Sequence, residues 1–431
     1  MNQLEGARAI FAHIAEHLQG DISVELWNGE VLPLGPDARD DIRIVIACPS
    51  AIGRLIRSPR LMTLVEVYID GDLDIRGGSP LEALQRWDHL RAVRLKRVVD
   101  KKLILRAALP FLTATKPRTG ALGFGDRVRA VFGRGRDDMA MIQFHYDVSN
   151  AFYQLFLDPE MQYSSAVFAT PETSLAEAQL AKMELICRKL MLKPGERLFD
   201  LGCGWGGLAC HAAEFHGVAV HGVTLSQEQY DLAQERVHRR GLTERITIEL
   251  RDYRTIDTPE AYDKISQIGM FEHVGIDNHD QHYRQMHRLL KKGGLYLHQA
   301  TTRRATKDLS KFRKRTAYMA VINRYIFPGG ELDYIGMTTT NLERHGFEVR
   351  DVETMREHYY RSLKAWSENL YANREAAIAE AGLTRTRLWL LYIALSCTGF
   401  KRGVLCDFQT VAAKRQADLS GLPLDRGLLY R

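Results

Sequence analysis

The sequence of 431 residues contains little cysteine and no long hydrophobic run. Its six cysteines form no Cys-x-x-Cys pair and have no zinc-ligand spacing, so we predict reduced thiols in a cytoplasmic protein and no bound metal. The longest apolar run, Leu388–Cys397, is too short to span a bilayer. Residues 1–20 are predicted to form a helix with acidic side chains and lack the pattern of a signal peptide. We therefore expect any contact with a membrane to be peripheral.

The net charge is only +6, but the basic residues are clustered. One cluster lies within residues 86–106, where Lys and Arg alternate with Leu, Val and Ile, and a second lies within residues 303–315. Basic amphipathic helices suit an anionic membrane surface, although a solvated helix face has the same pattern. No RNA- or DNA-binding motif accompanies these charges, so we expect no nucleic-acid partner.

The N-terminal residues 1–110 are predicted to form a small α+β domain. A helix precedes three short strand-like runs, at 24–27, 42–46 and 73–75. Residues 111–140 are rich in glycine, proline and arginine, which is typical of a linker. We therefore place a domain boundary there and assign residues 141–431 to a second domain.

The second domain has the pattern of an α/β sheet. An apolar strand at 197–201 leads into glycines at 202, 204, 206 and 207 and then into a helical pattern. A strand, a glycine turn and a helix form the first unit of a nucleotide-binding sheet, because glycine permits the sharp turn and the close approach of a ligand. Further strands are predicted at 218–223, 246–250, 262–268 and 295–299. Ligand groups in such sheets gather at the carboxyl ends of the strands.

Two helices connect these strands, one running to Arg240 with Ser226 as its N-cap and one at 279–290. Residues 300–345 interrupt the alternation and are interpreted as a lid or a membrane-facing insertion. A strand at 347–352 follows, and the remaining C-terminal region is predicted to be helical.

Distinctive motifs follow one another along residues 140–410, and they are His145–Asn150, Leu157–Pro159, Tyr163–Ser164, Asp200–Gly207, Gly222–Gln229, Asp252–Arg254, Gly269–Gly275, Tyr325–Gly330 and His358–Tyr359. This set resembles the cyclopropane-fatty-acyl-phospholipid synthases and mycolic acid cyclopropane synthases, which are S-adenosylmethionine-dependent methyltransferases. The resemblance implies a Rossmann-like class I methyltransferase domain with a lid insertion, preceded by a small α+β lipid-handling domain.

The resemblance also implies a binding site for S-adenosylmethionine. The residues assigned to it are Tyr163, Ser164, Asp200, Gly202, Gly204, Thr224, Leu225, Gln229, Asp252 and Tyr253. A carboxylate such as Asp252 can accept a hydrogen bond from an adenine amine, and Thr224 and Gln229 can bond ribose hydroxyls. The acidic residue that usually follows the second strand of nicotinamide-binding sheets is missing, which argues against a nicotinamide cofactor.

The resemblance further implies a catalytic bicarbonate held by a cysteine, a glutamate, a histidine and a tyrosine, and here the match is partial. Glu272 and Tyr359 stand at the glutamate and tyrosine positions, whereas Ser165 replaces the cysteine. Gln299 stands at the histidine position, and a shift of one residue would place His298 there and reverse the face of the strand. Serine and glutamine can still hydrogen-bond an anion, so bicarbonate stays an expected second cofactor.

The implied activity is methyl transfer to a double bond in an unsaturated phospholipid acyl chain at an anionic membrane surface. The resemblance also suggests a homodimer. Loss of a proton from the resulting carbocation closes a cyclopropane ring, and aromatic side chains can stabilise that cation. The changes at Ser165 and Gln299 leave a methyl- or methylene-branched product as an alternative. Methylation of a soluble natural product and a non-catalytic lipid-binding role are further alternatives.

Overall fold

A computed structural model describes residues 1–18, 20–86, 100–112, 141, 148–420, 422–425 and 427. Residues 87–99 of the first basic cluster, almost all of the predicted linker and the first half of the motif at 145–150 lie outside these residues. The chain forms two compact units, the first from 1–133, 314–326 and 370–398 and the second from 134–313, 327–369 and 399–431. Two late segments, which the sequence analysis assigned to the second domain, therefore belong to the first unit.

The described helices follow one another in the order α1 (Gln3–Leu18), α2 (Pro49–Arg57), α3 (Leu61–Ile69), α4 (Pro80–Arg86), α5 (Lys101–Ala108), α6 (Asn150–Gln154), α7 (Leu175–Lys189), α8 (Gly207–His216), α9 (Gln227–Arg239), α10 (His279–Leu289), α11 (Ala317–Tyr325), α12 (Ile335–Arg344), α13 (Arg356–Ala372), α14 (Arg374–Ala381) and α15 (Leu383–Lys401). The strands are β1 (Ser23–Glu25), β2 (Val31–Pro33), β3 (Arg43–Ile46), β4 (Leu73–Arg76), β5 (Arg197–Leu201), β6 (Ala219–Thr224), β7 (Ile246–Leu250), β8 (Tyr262–Ile268), β9 (Leu290–Arg303), β10 (Phe347–Thr354) and β11 (Leu405–Lys414).

The first unit contains a sheet in the order β2-β1-β3-β4, in which only β1 and β3 are parallel. The three strands predicted in this region are present. Later segments join the unit through specific contacts: the Tyr325 hydroxyl donates to Glu66 over 3.1 Å, and Arg387 Nε donates to the carbonyl of Tyr68 over 2.9 Å.

The second unit contains a seven-stranded sheet in the order β10-β11-β9-β8-β5-β6-β7. Strands β5 to β9 run parallel to one another, and β11 runs antiparallel to both β9 and β10. Apolar side chains of β5 are buried on both faces, with Leu198 packed towards α7 and α8 and Phe199 towards α10. This confirms the predicted Rossmann-like α/β fold.

The prediction of a wholly helical C-terminal region was wrong, because β11 lies inside the sheet between β9 and β10. Its polar residues Asp407 and Gln409 are buried, so the strand shows neither the alternation nor the apolar run by which strands are identified. Strand β9 also extends beyond the predicted 295–299, and α12 restores the alternation before β10. The interruption is therefore shorter than the predicted 300–345.

Candidate active site

All ten residues predicted to bind the cofactor line one pocket at the carboxyl ends of β5, β6, β7 and β8. They are Tyr163, Ser164, Asp200, Gly202, Gly204, Thr224, Leu225, Gln229, Asp252 and Tyr253. Met270 and His273, from the turn after β8, line the same pocket. The fold thus brings together residues that are spread over about ninety positions, as expected at the carboxyl edge of a parallel sheet.

Backbone geometry explains the glycines between β5 and α8. Gly202 and Gly204 have φ angles of +77° and +55°, a region in which a side chain is strained. At Gly207 a Cβ atom would lie 2.3 Å from Gln162 Nε2 and 2.7 Å from the carbonyl oxygen of Glu160. Glycine therefore allows both the left-handed turn and the close approach of the segment that carries Tyr163.

Asp200 presents a carboxylate oxygen in this pocket. Its Oδ1 accepts from the Ser266 hydroxyl over 2.8 Å, whereas its buried Oδ2 has no hydrogen-bond partner among the described residues. Burial raises the pKa of Asp200 to about 6, against the opposing effects of the Ser266 hydrogen bond and the charge of Lys182. The pocket therefore offers an acceptor to a cationic group.

The polar residues on the other side of the pocket are held by local contacts. The Thr224 hydroxyl donates to Gln229 Oε1 over 2.7 Å, so the Gln229 amide nitrogen is the group that can donate to a ligand. Ser226 caps α9 as predicted and accepts from the Gln229 backbone. Burial opposes ionisation of Asp252, but hydrogen bonds from Arg254 lower its pKa below the usual value.

Lys182 is a buried residue of this site that the sequence analysis missed. Its Nζ donates to Gln162 Oε1 over 2.5 Å and to the Ser164 hydroxyl over 3.1 Å. Burial lowers the pKa of Lys182 to about 8. The signal was its position in α7, four residues before Ile186, which places the lysine on the buried face of the helix.

The predicted catalytic residue Glu272 lies between the pocket-lining residues Met270 and His273. Its Oε1 accepts from the backbone N–H of Thr301 over 2.7 Å, and its buried Oε2 has no hydrogen-bond partner among the described residues. Burial raises the pKa of Glu272. Burial therefore favours the neutral form of this carboxyl.

The side chain of Gln299, and not that of His298, lies on the same side of the sheet as Asp407. Gln299 Nε2 donates to Asp407 Oδ2 over 2.7 Å. His298 contacts Tyr296 and Gln267 on the opposite face. Gln299, and not His298, therefore shares a face of the sheet with Asp407, and its catalytic role stays a prediction.

Ser165 follows the pocket residue Ser164, and Tyr359 lies near the start of α13. The backbone N–H of Ala166 donates to Ser362 Oγ over 2.9 Å, which ties the residue after Ser165 to this helix. The Tyr359 ring packs against Phe400 with centroids 4.5 Å apart. The roles of all four predicted catalytic residues stay predictions.

These side chains do not fit a bound bicarbonate. An anion needs hydrogen-bond donors, but the Ser165 hydroxyl donates to the carbonyl of Ala166 over 3.1 Å and one of the two N–H groups of the Gln299 amide donates to Asp407. The carboxyl groups of Glu272 and Asp407 also oppose a further negative charge there. No catalytic step is therefore assigned to bicarbonate.

A second polar cluster joins α7 and α8 away from the pocket. Ligand atoms of Cys187, His211 and His216 lie within 4.8 Å of one another, a spacing that a metal ion could use. Glu184 Oε2, however, contacts His211 Nε2 at 3.2 Å and His216 Nε2 at 3.0 Å. Hydrogen bonding accounts for this cluster as a link between the two helices.

Comparison with known proteins identifies relatives along most of the chain. The family model described as mycolic acid cyclopropane synthetase matches residues 134–410. A probable fatty acid methyltransferase of Pseudomonas putida is 34% identical over 411 residues, which are 95% of this chain and 96% of the relative. The cyclopropane-fatty-acyl-phospholipid synthase of Escherichia coli K12 is 38% identical over 256 residues, 59% of this chain and 62% of the relative.

A solved structure of a mycolic acid cyclopropane synthase complexed with S-adenosylhomocysteine and CTAB superposes with a TM-score of 0.61. The two sequences are 33% identical, and the match covers 65% of this chain and all of that one. The pocket described above fits S-adenosylmethionine, because Asp200 Oδ2 is an unpaired buried acceptor and the glycines leave room beside it. Asp200 would hold the cationic amino group, and Asp252 and Gln229 the nucleoside.

Binding of S-adenosylmethionine is expected to tighten as the pH rises from about 5 to about 7.5, because Asp200 ionises in this range. The measurement is a calorimetric titration at several pH values. Asp200→Asn should flatten the dependence. Ser266→Ala should move its midpoint to higher pH, because a hydrogen bond that favours the ionised form is lost. A wild-type affinity that does not change with pH would contradict this assignment.

Proposed function

The chain belongs to the mycolic acid cyclopropane synthetase family, and from this premise we propose that it methylates a double bond in an unsaturated acyl chain of a phospholipid. At the level of the family, the activity is S-adenosylmethionine-dependent methyl transfer to lipid acyl chains. The phospholipid, the double bond and the product are the proposed part. The observation that supports them is the position of Glu272, whose chain neighbours Met270 and His273 line the cofactor pocket.

Bound S-adenosylmethionine supplies an electrophilic methyl group. The chain's own residues provide the surroundings in which an alkene can accept it. The rings of Tyr163 and Trp366 lie 5.3 Å apart, and Trp366 also contacts Phe156 and Tyr359 at 6.4 Å and 6.0 Å. This aromatic wall leads from the cofactor pocket to the predicted catalytic tyrosine. Aromatic faces stabilise a carbocation on the acyl chain and exclude water from it.

Two products are compatible with this site, and ring closure is the first candidate. The second candidate is a branched chain. Loss of a proton from a carbon of the original chain gives a methyl-branched alkene, whereas a 1,2-hydride shift followed by loss of a proton from the added methyl group gives an exocyclic methylene group. The observation that favours it is the pair of changes at Ser165 and Gln299, whose side chains donate hydrogen bonds to Ala166 and Asp407.

Lipid mass spectrometry distinguishes these products after expression in cells that contain unsaturated phospholipids. Labelled methionine provides the methyl group, and fragmentation locates the added carbon. A ring across the former double bond supports ring closure, whereas a chain with a methyl branch or an exocyclic methylene group supports branching. Absence of label from all phospholipids would contradict the proposed substrate, and label in a soluble product would identify the alternative.

We also propose that helix α5 binds an anionic membrane surface. No helix in the described part of the chain is long and apolar enough to cross a bilayer. Lys102 and Arg106 are exposed on α5, and Leu105 and Leu109 are 67% and 57% exposed beside them. Basic residues with exposed leucines are typical of a helix that lies in the membrane interface.

Charge reversal at Lys101, Lys102 and Arg106 is expected to lower binding to anionic vesicles at least about a hundredfold at low salt, because each basic residue contributes about 1 kcal/mol there. Sedimentation with vesicles measures this loss. Lys193→Glu, an exposed change before β5, is the matched control and should bind like the wild type. Equal binding of the triple variant and the wild type would contradict the proposed surface.

A further inference from the structure

A chain of buried hydrogen bonds leads from α7 to the carboxyl group of Asp407. Lys189 Nζ donates to Gln409 Oε1 over 2.8 Å, and Gln409 Nε2 donates to Gln299 Oε1 over 2.9 Å. Gln299 Nε2 then donates to Asp407 Oδ2 over 2.7 Å. All four side chains are at most 2% exposed. Helix α7 and strands β9 and β11 are more than a hundred residues apart in the sequence, so these hydrogen bonds form only when the sheet has folded.

The direction of these hydrogen bonds is set by Lys189. An ammonium group can only donate, so Gln409 must turn its carbonyl oxygen towards Lys189 and its amide nitrogen towards Gln299. Because the carbonyl oxygen of Gln299 accepts from Gln409, the amide nitrogen of Gln299 points towards Asp407. The lysine is in turn paired with Glu353 and lies 3.8 Å from Asp351 on β10. Asp407 therefore receives a hydrogen bond that favours its ionised form.

Asp407 and Glu272 are brought together through Thr301. Asp407 is the cross-strand partner of Thr301, and the backbone N–H of Thr301 donates to Glu272 Oε1. Burial and the charge of Glu272 raise the pKa of Asp407 to about 7, while Gln299 and Lys182 act in the opposite direction. Asp333 also faces Glu272, whose charge contributes to raising the pKa of Asp333 after burial itself. Neighbouring buried carboxyls of this kind titrate as a pair.

We propose that the carboxyl pair of Glu272 and Asp407 accepts the proton released during product formation, and that Lys189 is a positioning residue acting on this pair through Gln409 and Gln299. This inference rests on the proposed function. In ring closure the electron pair of a C–H bond on the added methyl group forms the new C–C bond. The proton passes to Glu272 Oε2, the oxygen without a described partner. The neighbouring charge of Asp407 stabilises the protonated glutamate.

The pair replaces a bound anion as the proton acceptor. This agrees with the hydrogen bonds that the Ser165 hydroxyl and the Gln299 amide donate within the protein. Turnover should therefore be the same in buffers with and without bicarbonate. A wild-type rate that requires added bicarbonate would overturn the proposal.

Gln409→Glu tests the positioning role with almost no change in shape. A glutamate can still accept from Lys189 but cannot donate to Gln299, so the Gln299 amide reverses and Asp407 loses its donor. We expect turnover on unsaturated phosphatidylglycerol vesicles at pH 7 to fall at least about tenfold. The rising limb of its pH profile should move upward by about one to two pH units, with an unchanged affinity for S-adenosylmethionine. Lys189→Met should move the limb in the same direction.

Thr410→Val is the matched control, because Thr410 is the next residue of β11, is equally buried and pairs with His298 on the other face. It should keep the wild-type pH profile. If Gln409→Glu lowers thermal stability but leaves the pH profile in place, the residue is only structural and the proposal is wrong.

A second measurement does not depend on turnover. Infrared difference spectra between the wild type and Asp407→Asn report the protonated carboxyl of Asp407 as a function of pH. The Asp407 signal should titrate near neutral pH and move upward in Gln409→Glu. If no lipid is methylated but this shift is observed, the proposed substrate fails while the positioning role stands. An Asp407 that titrates like a surface carboxyl overturns the positioning role itself.

Discussion

Glu272→Gln is expected to lower the turnover of lipid methylation by about two to four orders of magnitude, the range lost when a general base is removed. The glutamine can keep the hydrogen bond from the Thr301 backbone, because its carbonyl oxygen can occupy the position of Oε1. Its amide nitrogen then replaces Oε2, which removes the proton acceptor. The measurement is incorporation of labelled methyl groups into phospholipid vesicles.

Binding and folding should be unaffected in this variant, because Glu272 itself does not line the cofactor pocket. Calorimetry with S-adenosylmethionine should give an affinity within about threefold of the wild type, which is about 0.65 kcal/mol. Asp333→Asn is a suitable comparison, since Asp333 is a buried carboxyl whose Oδ2 accepts from Thr338 over 2.6 Å. Its turnover should fall by less than about tenfold. An active Glu272→Gln enzyme would contradict a proton-accepting role for this residue.

The sheet and the cofactor pocket could be predicted because their information is local in the sequence. Strands β7 and β8 begin and end where the sequence analysis placed them, and in β7 the buried Ile246 and Ile248 alternate with less buried residues. The pocket residues follow the ends of such strands, and all ten of those predicted line it. The class of fold and the cofactor site therefore followed from pattern and resemblance.

The polar interior behind the pocket could not be predicted in the same way. Asp407 and Gln409 lie in a strand that has no apolar pattern, and Lys189 looks like an ordinary lysine at the end of a helix. What makes these residues unusual is burial against one another, which depends on the placement of β11 beside β9. Gln299 and His298 are adjacent in the sequence. Because successive side chains of a strand point to opposite faces, only one of the two can lie on the same face as Asp407.

The second large effect is expected at the glycine turn, where Gly202→Val should weaken the binding of S-adenosylmethionine at least about a hundredfold, roughly 2.7 kcal/mol. Gly202 has a φ angle of +77° and lines the pocket. A Cβ atom there would lie 3.0 Å from both Cβ and Cγ of Met270, which is itself a pocket residue. The branched side chain therefore either fills the pocket or displaces its wall. Calorimetric titration measures the loss of affinity.

Gly195→Val separates this local effect from backbone strain. Gly195 precedes β5 and has a φ angle of +85°, and among the described residues no atom beyond its chain neighbours lies within 4 Å of the position a Cβ would take. Both variants carry the cost of a side chain in the left-handed region, about 1–2 kcal/mol of folding stability. Only Gly202→Val adds a group beside the cofactor. Equal loss of affinity in both variants would show that strain in β5, and not contact at its carboxyl end, controls the site. The expected result is lowered melting temperatures for both and lost cofactor binding for Gly202→Val alone.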